Sequence, residues 1–530
     1  MNRTDRPDAW TSGAARDSEV RVSPRQLDLD RRDVLIGAAA GAALFALPRS
    51  ARAAGDLSSV HAQVDKQMGE SVARLQEWIR QPSISAQNIG IQECCDLTMR
   101  LLRDAGFGSA SKIPTEGHPG ILATYEAGAK RTLAVYFMYD VKQVEEKEWS
   151  VPPFAAQLVD RPEVGKVLMG RGAVNQKGPE ASFLAALHAI RAAGQKLPVN
   201  LVLVAEGEEE LGSPHFSQIV QRPEVQAALR RCSGIMLPSA AQNVAGEINV
   251  TLGAKGVLEL ELESSGEKWG RGPTRDIHSG QKPAVDSPVW HLVQALSTLV
   301  APDGNDPAID GIESAVRPLS ADEKRMVDEL ARRLDEKLMM KELSIQHWAR
   351  DLDFRTTLER LVSRPTVNIE GIVGGYTGPG GKTILPHRAL AKVDIRLVPE
   401  MKAKEVLAAV RGHLAKRGYG DIEVRQLGGY DPNTTSKDAG PVQTAVAVYR
   451  KSGIEPLLWP RSGGSWPGFY FTEKPLQLPA IHFGLGYGHG AHSKDEFYVI
   501  ESAKPKVQGM AGAIHSFVDY LYAFASPSHA

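Results

Sequence analysis

The chain has 530 residues, of which 42% are hydrophobic and 24% charged, a globular composition long enough for two or three domains. Its 62 basic and 63 acidic residues leave a formal net charge of −1, which gives no field to recruit nucleic acid or anionic membranes. The three cysteines, Cys94, Cys95 and Cys232, make neither a disulfide framework nor a CxxC zinc motif. We therefore expect a small-molecule partner and no nucleic acid.

The N-terminal segment 1–53 has the features of a twin-arginine signal peptide. Arg31 and Arg32 precede an apolar run over residues 36–47, and Ala51-Arg52-Ala53 is a small-x-small cleavage pattern. A membrane anchor is disfavoured, because this run is far shorter than the roughly 20 residues that span a bilayer. We predict export by the twin-arginine route and a periplasmic or secreted mature protein, with no membrane attachment after cleavage.

The elements that follow predict an α/β architecture. Residues 58–80 carry apolar side chains three or four positions apart, which is the spacing of a helix. Residues 132–137 and 199–204 are apolar runs of strand length, and 181–193 between them has the pattern of a buried helix. Strands and helices alternate in this way in mostly parallel sheets, so 54–246 is predicted to form the first part of a large α/β domain.

The pattern changes near residue 247, and we predict an inserted α+β domain over 247–432. Its strands and helices are predicted, in chain order, at 247–252, 256–263, 289–300, 321–340, 389–397, 403–417 and 422–426. Helices at 441–451 and 504–523 are then predicted to return the chain to the first domain, whose second part covers 433–530.

Three segments, 138–141, 170–179 and 206–213, contain most of the residues that could carry chemistry. In order and spacing they resemble the catalytic segments of the zinc metallopeptidase and amidohydrolase family of acetylornithine deacetylase, succinyl-diaminopimelate desuccinylase, carboxypeptidase G and carnosinase-like dipeptidases. Further matching motifs lie at 276–280, 368, 374–376, 382–386, 396–399, 463–467 and 491–493. The resemblance implies a mostly parallel-sheet zinc-peptidase-like catalytic domain with an inserted α+β lid that also forms the contact of a homodimer.

The family holds two zinc ions, and the resemblance places its five ligand positions at Met138, Asn175, Glu210, Ser239 and His492. At three of these positions a thioether, a carboxamide and a hydroxyl replace a histidine and two aspartates, and such groups are poor zinc ligands. We therefore predict that the zinc expected from the family is absent or reduced to one weakly bound ion on Glu210 and His492. His489, three residues before His492, is predicted to be a loop histidine.

The resemblance also implies catalytic roles. Glu209 falls at the position of the general base, and Asp140 at that of a carboxylate that orients a zinc-binding histidine, which Met138 does not provide. Without metal, Glu209, Glu210 and Asp140 should repel one another, so at least one of their pKa values is expected to be raised. His278, in the lid, falls at the position of a histidine that stabilises the oxyanion in the partner subunit's active site.

Substrate contacts are implied at a further set of positions: Asn368, Arg396, Gly463, Gly464 and Ser465. A guanidinium group and exposed backbone N–H groups suit the carboxylate or carbonyl oxygens of a substrate. Together these positions indicate a site for a dipeptide or an N-acyl amino acid.

Three classes of function are compatible with these residues. The first is an exported hydrolase of this family that cleaves amide bonds of dipeptides or N-acyl amino acids. The second is a metal-independent enzyme that performs altered acid–base chemistry on the same scaffold. The third is a pseudo-peptidase that binds a small ligand without catalysis.

Overall fold

The computed structural model describes residues 56–526, so the predicted signal peptide lies outside the described residues. The helices are α1 (Ser58–Lys66), α2 (Met68–Arg80), α3 (Ile91–Asp104), α4 (Gly178–Ala192), α5 (Phe216–Val220), α6 (Pro223–Leu229), α7 (Gly266–Trp269), α8 (Pro288–Thr298), α9 (Ala321–Arg333), α10 (Glu336–Glu342), α11 (Phe354–Ser363), α12 (Ala403–Lys416), α13 (Gly440–Lys451), α14 (Phe469–Thr472) and α15 (Met510–Ala525). The helix predicted over 58–80 is therefore two helices, which meet at Gln67. Among the residues described, no helix is both long and apolar enough to cross a membrane.

The strands are β1 (Ser109–Ile113), β2 (Gly120–Tyr125), β3 (Thr132–Met138), β4 (Gln157–Arg161), β5 (Gly165–Met169), β6 (Asn200–Glu206), β7 (Ile235–Pro238), β8 (Asn249–Thr251), β9 (Gly253–Ala254), β10 (Gly256–Ser265), β11 (Ile277–His278), β12 (Thr366–Val373), β13 (Ile384–Leu385), β14 (Arg388–Leu397), β15 (Glu423–Tyr430), β16 (Asn433–Thr434), β17 (Leu457–Trp459), β18 (Ala480–Phe483), β19 (Gly488–His489) and β20 (Phe497–Ser502). Strands β19, β20, β5 and β4 form a small antiparallel sheet beside the central one.

The central sheet has the strand order β1-β2-β6-β3-β7-β18, and its last four strands run parallel. Strand β3 is buried along its whole length, and alternate side chains enter two different apolar clusters. Phe137 packs in the cluster that contains α4 and α15, whereas Tyr136 and Met138 pack in the cluster that contains α5 and α14. Helices therefore cover both faces, and the predicted mostly parallel α/β domain is confirmed.

The second sheet is antiparallel, with the strand order β12-β14-β10-β15. In β10 the leucines Leu258, Leu260 and Leu262 are buried and pack with α8 and α12, while the glutamates between them are part-exposed. This period of two gives the sheet one apolar face, which the two helices cover. The predicted inserted α+β fold is confirmed.

One strand predicted in the insert joins a different partner. β8 runs parallel to β17, and β9 is antiparallel to β16, so both pair with segments beyond residue 432. The four-stranded sheet itself begins only at Gly256. The alternation of residues 247–252 predicts a strand but carries no information about its partner, and the domain limits 54–246, 247–432 and 433–530 stay predictions.

A buried lysine joins the helical layer to the loop that leads into α4. The Lys177 side chain is fully buried, and its ammonium donates to Trp78 O at 3.0 Å, Gln81 O at 3.1 Å and Ser83 Oγ at 3.0 Å. A buried charge costs folding free energy unless every donor finds a partner, and here all three N–H bonds have one.

We expect Lys177→Met to lower the free energy of unfolding by about 3 kcal/mol, because two carbonyls and a hydroxyl would lose their donor inside the core. Urea denaturation measures the change. Lys166→Met is the matched control: Lys166 forms an exposed ion pair with Glu501, and its loss should change stability by less than about 0.5 kcal/mol. Equal losses in the two variants would contradict this account of Lys177.

Candidate functional site

The predicted site residues gather at the carboxyl ends of the parallel strands of the central sheet. Asp140 follows β3, Glu209 and Glu210 follow β6, and Ser239 follows β7. Asn175 lies in a π-helical turn, Ala173–Lys177, just before α4. Ligand sites of open α/β sheets form at this edge, because the loops that leave parallel strands converge there.

Asp140 organises the turn that carries the two glutamates. Its buried carboxylate accepts hydrogen bonds from Ser85 Oγ at 2.8 Å, Glu210 N at 3.0 Å and Glu209 N at 3.2 Å. Burial, and then the negative charge of Glu210, raises the pKa of Asp140 to about 7 despite these bonds. The prediction of a raised pKa in this group of carboxylates is thus confirmed, and Asp140 holds backbone rather than an imidazole.

Glu210, Asn175 and His492 lie in contact with one another. The Asn175 amide donates to Glu210 Oε1 at 2.7 Å, and its nitrogen is 3.1 Å from His492 Nε2. His492 Nε2 is also 3.2 Å from Glu210 Oε2, and the Lys142 ammonium is 3.4 Å from the same oxygen. Both oxygens of Glu210 therefore face donors supplied by the chain. Lys142 was not identified from the sequence, because it follows the segment 138–141 and does not fall at one of the implied ligand positions.

A second buried carboxylate, that of Glu496, holds the loop that contains Asn175. It accepts from the Arg171 guanidinium at 2.8 Å, Gly172 N at 3.0 Å, Val174 N at 2.9 Å and Asn175 N at 2.9 Å. Four donors fix this loop against the start of β20, and burial raises the pKa of Glu496 above its ordinary value. This role could not be inferred from the sequence, because Glu496 lies more than 300 residues from its partners along the chain.

A cavity of about 240 Å³ opens beside these residues. Its lining residues are Tyr136, Met138, Asn175, Gln176, Glu180, Glu209, Leu237, Pro238, Ser239, Ala241, Asn249, Thr251, Ala254, Ser462, Gly464, Ser465, Trp466 and His482. Two of them are carboxylates, and none is a lysine or an arginine. Burial, followed by the charges of Glu210 and Asp140, raises the pKa of Glu209 well above its ordinary value.

Glu180 is a lining residue that the sequence analysis missed. It lies at the start of α4 and is 1% exposed; its Oε1 accepts from Met138 N at 2.9 Å. Its other oxygen, Oε2, has no hydrogen-bond partner among residues 56–526. Burial raises the pKa of this carboxyl well above its ordinary value. The polar residue after Gly178-Pro179 in an otherwise apolar helix was the available signal.

Ser239 faces a half-buried histidine that was also missed. Ser239 Oγ is 3.3 Å from His482 Nδ1, and the His482 ring meets the Trp466 ring edge-on with centroids 5.3 Å apart. Burial lowers the pKa of His482 to about 4, so this imidazole is neutral near pH 7. His482 lies within β18. A single polar residue is ordinary in the alternating pattern of a strand, so the sequence did not mark this histidine as a site residue.

The predicted substrate contacts meet at the rim of the cavity. Arg396 donates from Nε to Asp394 Oδ2 at 2.8 Å and from Nη1 to Ser465 Oγ at 2.9 Å, and Asn368 donates to the other oxygen of Asp394 at 2.9 Å. Gly464 and Ser465 line the cavity itself. Asp394 fixes the guanidinium but leaves part of it exposed, so Arg396 can still bind an anionic group. Gly463, by contrast, packs toward Leu361.

Two predicted histidines lie elsewhere. His278 is exposed in the lid, accepts from Gly280 N at 3.0 Å and does not line the cavity. His489 is exposed near Phe497, with ring centroids 6.3 Å apart. Neither contacts the Glu210 group within the described chain, and the expected action of His278 in a partner subunit stays a prediction.

The residues at the five implied ligand positions do not fit a pair of zinc ions. Within residues 56–526, no three His, Cys, Asp or Glu side chains are arranged to hold a metal ion. The Met138 side chain packs in an apolar cluster, and the Asn175 amide nitrogen, a donor, points at Glu210 and His492. A dizinc centre needs a bridging carboxylate, and a carboxamide that donates its hydrogens cannot supply one.

Comparisons with known proteins agree with the fold and identify the family. A family model described as Peptidase family M20/M25/M40 matches residues 135–516. The Cys-Gly metallodipeptidase dug1 of Schizosaccharomyces pombe is 27% identical over 89% of this chain and 99% of its own, and the Beta-Ala-His dipeptidase of Homo sapiens is 29% identical over 83% and 88%. The crystal structure of an M20 family metallo-carboxypeptidase, Sso-CP2 from Sulfolobus solfataricus, superposes with a TM-score of 0.76 at 30% identity over 86% of this chain and 99% of its own.

The raised pKa of Asp140 makes stability depend on pH. Between about pH 4 and pH 7 the Asp140 carboxyl is protonated in the folded chain and ionised in the unfolded chain. The free energy of unfolding should therefore fall by on the order of 1.4 kcal/mol for each unit by which the pH rises. Glu180 and Glu209 act in the same direction. Urea denaturation at pH 5, 6 and 7 should show this fall, and a smaller one in Asp140→Asn. Stability that rises with pH over this window would contradict the account.

Proposed function

The chain belongs to peptidase family M20/M25/M40, and from that membership we propose that it hydrolyses the amide bond of dipeptides or N-acyl amino acids. Membership confirms the resemblance and the predicted hydrolase class. The observation that carries the proposal is that Glu209 lines a cavity whose rim also holds the Arg396–Ser465 pair. A base and an anion-binding group at one cavity suit a substrate that ends in a carboxylate.

Glu209 is proposed to act as general base and then general acid. It takes a proton from a water molecule while the water oxygen bonds to the amide carbonyl carbon, and it gives that proton to the amine as the C–N bond breaks. Its raised pKa suits this exchange, because a carboxylate with a pKa above its ordinary value is a stronger base for the water proton and can then pass that proton to the amine. Asp140 keeps Glu209 in place through the Glu209 backbone N–H.

We further propose that the metal site is degenerate, with three of five ligand positions replaced. Zinc belongs to the chemistry of the family, and the relatives described above are named metallodipeptidase and metallo-carboxypeptidase. In this chain the remaining pair, Glu210 and His492, would hold at most one weakly bound ion. Support comes from the Asn175 amide and the Lys142 ammonium, which already supply hydrogen bonds and positive charge to Glu210.

Export by the twin-arginine route to the periplasm, and a homodimer formed through the lid, are parts of the same proposal. The first is supported by Arg31-Arg32 and the short apolar run that follows, and the second by His278, which is exposed and distant from the cavity of its own chain. A non-catalytic ligand-binding protein is the second candidate function. The pairing of Glu210 with Asn175 and Lys142 favours it, because this pairing satisfies the carboxylate without a metal.

Glu209→Gln should lower kcat/KM by at least about 100-fold, because general acid–base catalysis contributes on that scale. The measurement is a screen of dipeptides and N-acyl amino acids, followed by steady-state kinetics on any substrate found. Glu208→Gln is the matched control, since this neighbour binds His215 Nδ1 at 2.8 Å and does not line the cavity. Wild-type protein that cleaves no substrate would favour the binding protein, and equal losses in the two variants would remove Glu209 as the base.

Restoring the family's ligands should restore the metal site. The triple variant Met138→His/Asn175→Asp/Ser239→Asp is expected to bind about two zinc ions per chain, as a complete dizinc ligand set does. Elemental analysis of protein purified without chelator measures this, with Asn175→Asp alone as the control that should gain less. Wild-type protein that already carries two zinc ions and loses turnover in EDTA would contradict the degenerate site.

A further inference from the structure

We propose that Glu180 forms a subsite for a primary ammonium group, so that the cavity selects dipeptides with a free N-terminal amine over N-acyl amino acids. The inference rests on the proposed function, which names dipeptides and N-acyl amino acids as substrates. It selects the dipeptides. Its physical basis is a buried acceptor that the protein leaves without a donor.

The hydrogen bonds of Glu180 leave one oxygen for a ligand. The residue is 1% exposed, and Oε1 is engaged by the backbone N–H of Met138. Oε2 has no partner among the described residues, and neither does Oε1 of Gln176, which lines the same cavity. Buried polar atoms are rarely left unpaired, because each lost hydrogen bond costs on the order of 1–3 kcal/mol. Two unpaired acceptor oxygens in one cavity wall call for a donor from the occupant.

The charges around the cavity make that donor a cation. The lining contains two carboxylates, Glu180 and Glu209, with no lysine or arginine. Lys177 is near in sequence, but its three N–H bonds go to Trp78, Gln81 and Ser83. Lys142 lies instead at Glu210. A buried carboxylate is stable when paired, and no cationic side chain of the described chain is available to pair with Glu180.

The other walls suit an alkylammonium group rather than a bare ion. Tyr136 and Trp466 contribute aromatic rings, and Met138 and Leu237 contribute apolar surface. Ammonium groups are attracted to aromatic faces, while their carbon atoms favour apolar contact. The volume of about 240 Å³ has room for one small amino-acid residue. No trio of metal-ligating side chains is available in residues 56–526, which argues against a divalent cation as the occupant.

The cavity and its rim together offer contacts for both ends of a dipeptide. Arg396 donates to Ser465, which lines the cavity, and its exposed guanidinium surface suits the C-terminal carboxylate. Glu180 would bind the N-terminal ammonium. Glu209, on the same lining, would then face the peptide bond. An N-acyl amino acid would fill the Arg396 end but leave Glu180 unpaired.

The test compares two ligands that differ only in the amine. They are the ketomethylene isosteres of alanyl-glycine and propionyl-glycine, in which CH₂ replaces the amide nitrogen so that neither can be hydrolysed. Calorimetric titration gives Kd for both ligands with wild-type protein, Glu180→Gln and the control Glu206→Gln. Glu206 is equally buried and also has one unpaired oxygen, but it does not line the cavity.

Wild-type protein should bind the amino isostere about tenfold or more tightly than the desamino isostere, because a charge-assisted hydrogen bond is worth this much. The preference should be lost in Glu180→Gln and kept in Glu206→Gln. Equal binding of the two ligands by wild-type protein would overturn the proposal, as would a preference that survives in Glu180→Gln. Zinc chloride that binds alone, with the same loss in Glu180→Gln, would assign the subsite to a metal instead.

A second variant, Met138→Lys, tests the subsite even if Glu180→Gln does not fold. Met138→Lys places an ammonium group on the cavity wall next to Glu180, and the folded variant should lose the preference for the amino isostere over the desamino isostere. A preference retained in a folded Met138→Lys protein would count against the subsite. The binding test is also independent of turnover: an amine preference without hydrolysis would reject the enzyme and keep the subsite, whereas hydrolysis without a preference would reject the subsite alone.

Discussion

The loop that contains Asn175 is held by one buried carboxylate, that of Glu496, and the geometry of the whole site depends on this interaction. Three backbone N–H groups of the loop, those of Gly172, Val174 and Asn175, and the Arg171 guanidinium donate to it and hold the loop in one conformation. Asn175 is thereby presented to Glu210 and His492, and Gln176 to the cavity. Asp140 fixes the opposite side in the same way, through the backbone of Glu209 and Glu210. Glu496 thus positions Asn175 and Gln176 on one side of the site, and Asp140 positions Glu209 and Glu210 on the other.

The site has an excess of acidic side chains. Asp140, Glu180, Glu209 and Glu210 lie around one edge of the sheet, and the pKa values of the first three are raised, with burial as the largest cause. In a dizinc member of the family the metal ions would balance such charges. Here Lys142 and the Asn175 amide stabilise Glu210, and the raised pKa values of the other three reduce their negative charge while no cation is bound.

The sequence predicts the scaffold well and the cavity poorly, for a physical reason. The alternation of β3 and the apolar helix α4 follow from local periodicity, and the ordered motifs bring Glu209, Glu210 and Arg396 to one site. Strand β8 pairs with β17, beyond residue 432, and the sequence could not show this because the residues of a strand do not specify its partner. Glu180, His482 and Glu496 were missed because their roles arise only from contacts with residues distant in the chain.

The replacement at position 138 connects these observations. The alternation of β3 places Met138 on the face of Tyr136, where it packs in the apolar cluster that includes Trp466. A thioether fits that cluster, whereas a metal-binding imidazole would need a polar partner there. The cavity wall beside Glu180 is apolar as a result, and a carboxylate next to an apolar wall gains more from a cationic ligand than one in water. On the proposals made above, the absence of a zinc ligand at position 138 and the preference for an ammonium group at Glu180 both follow from this apolar surface.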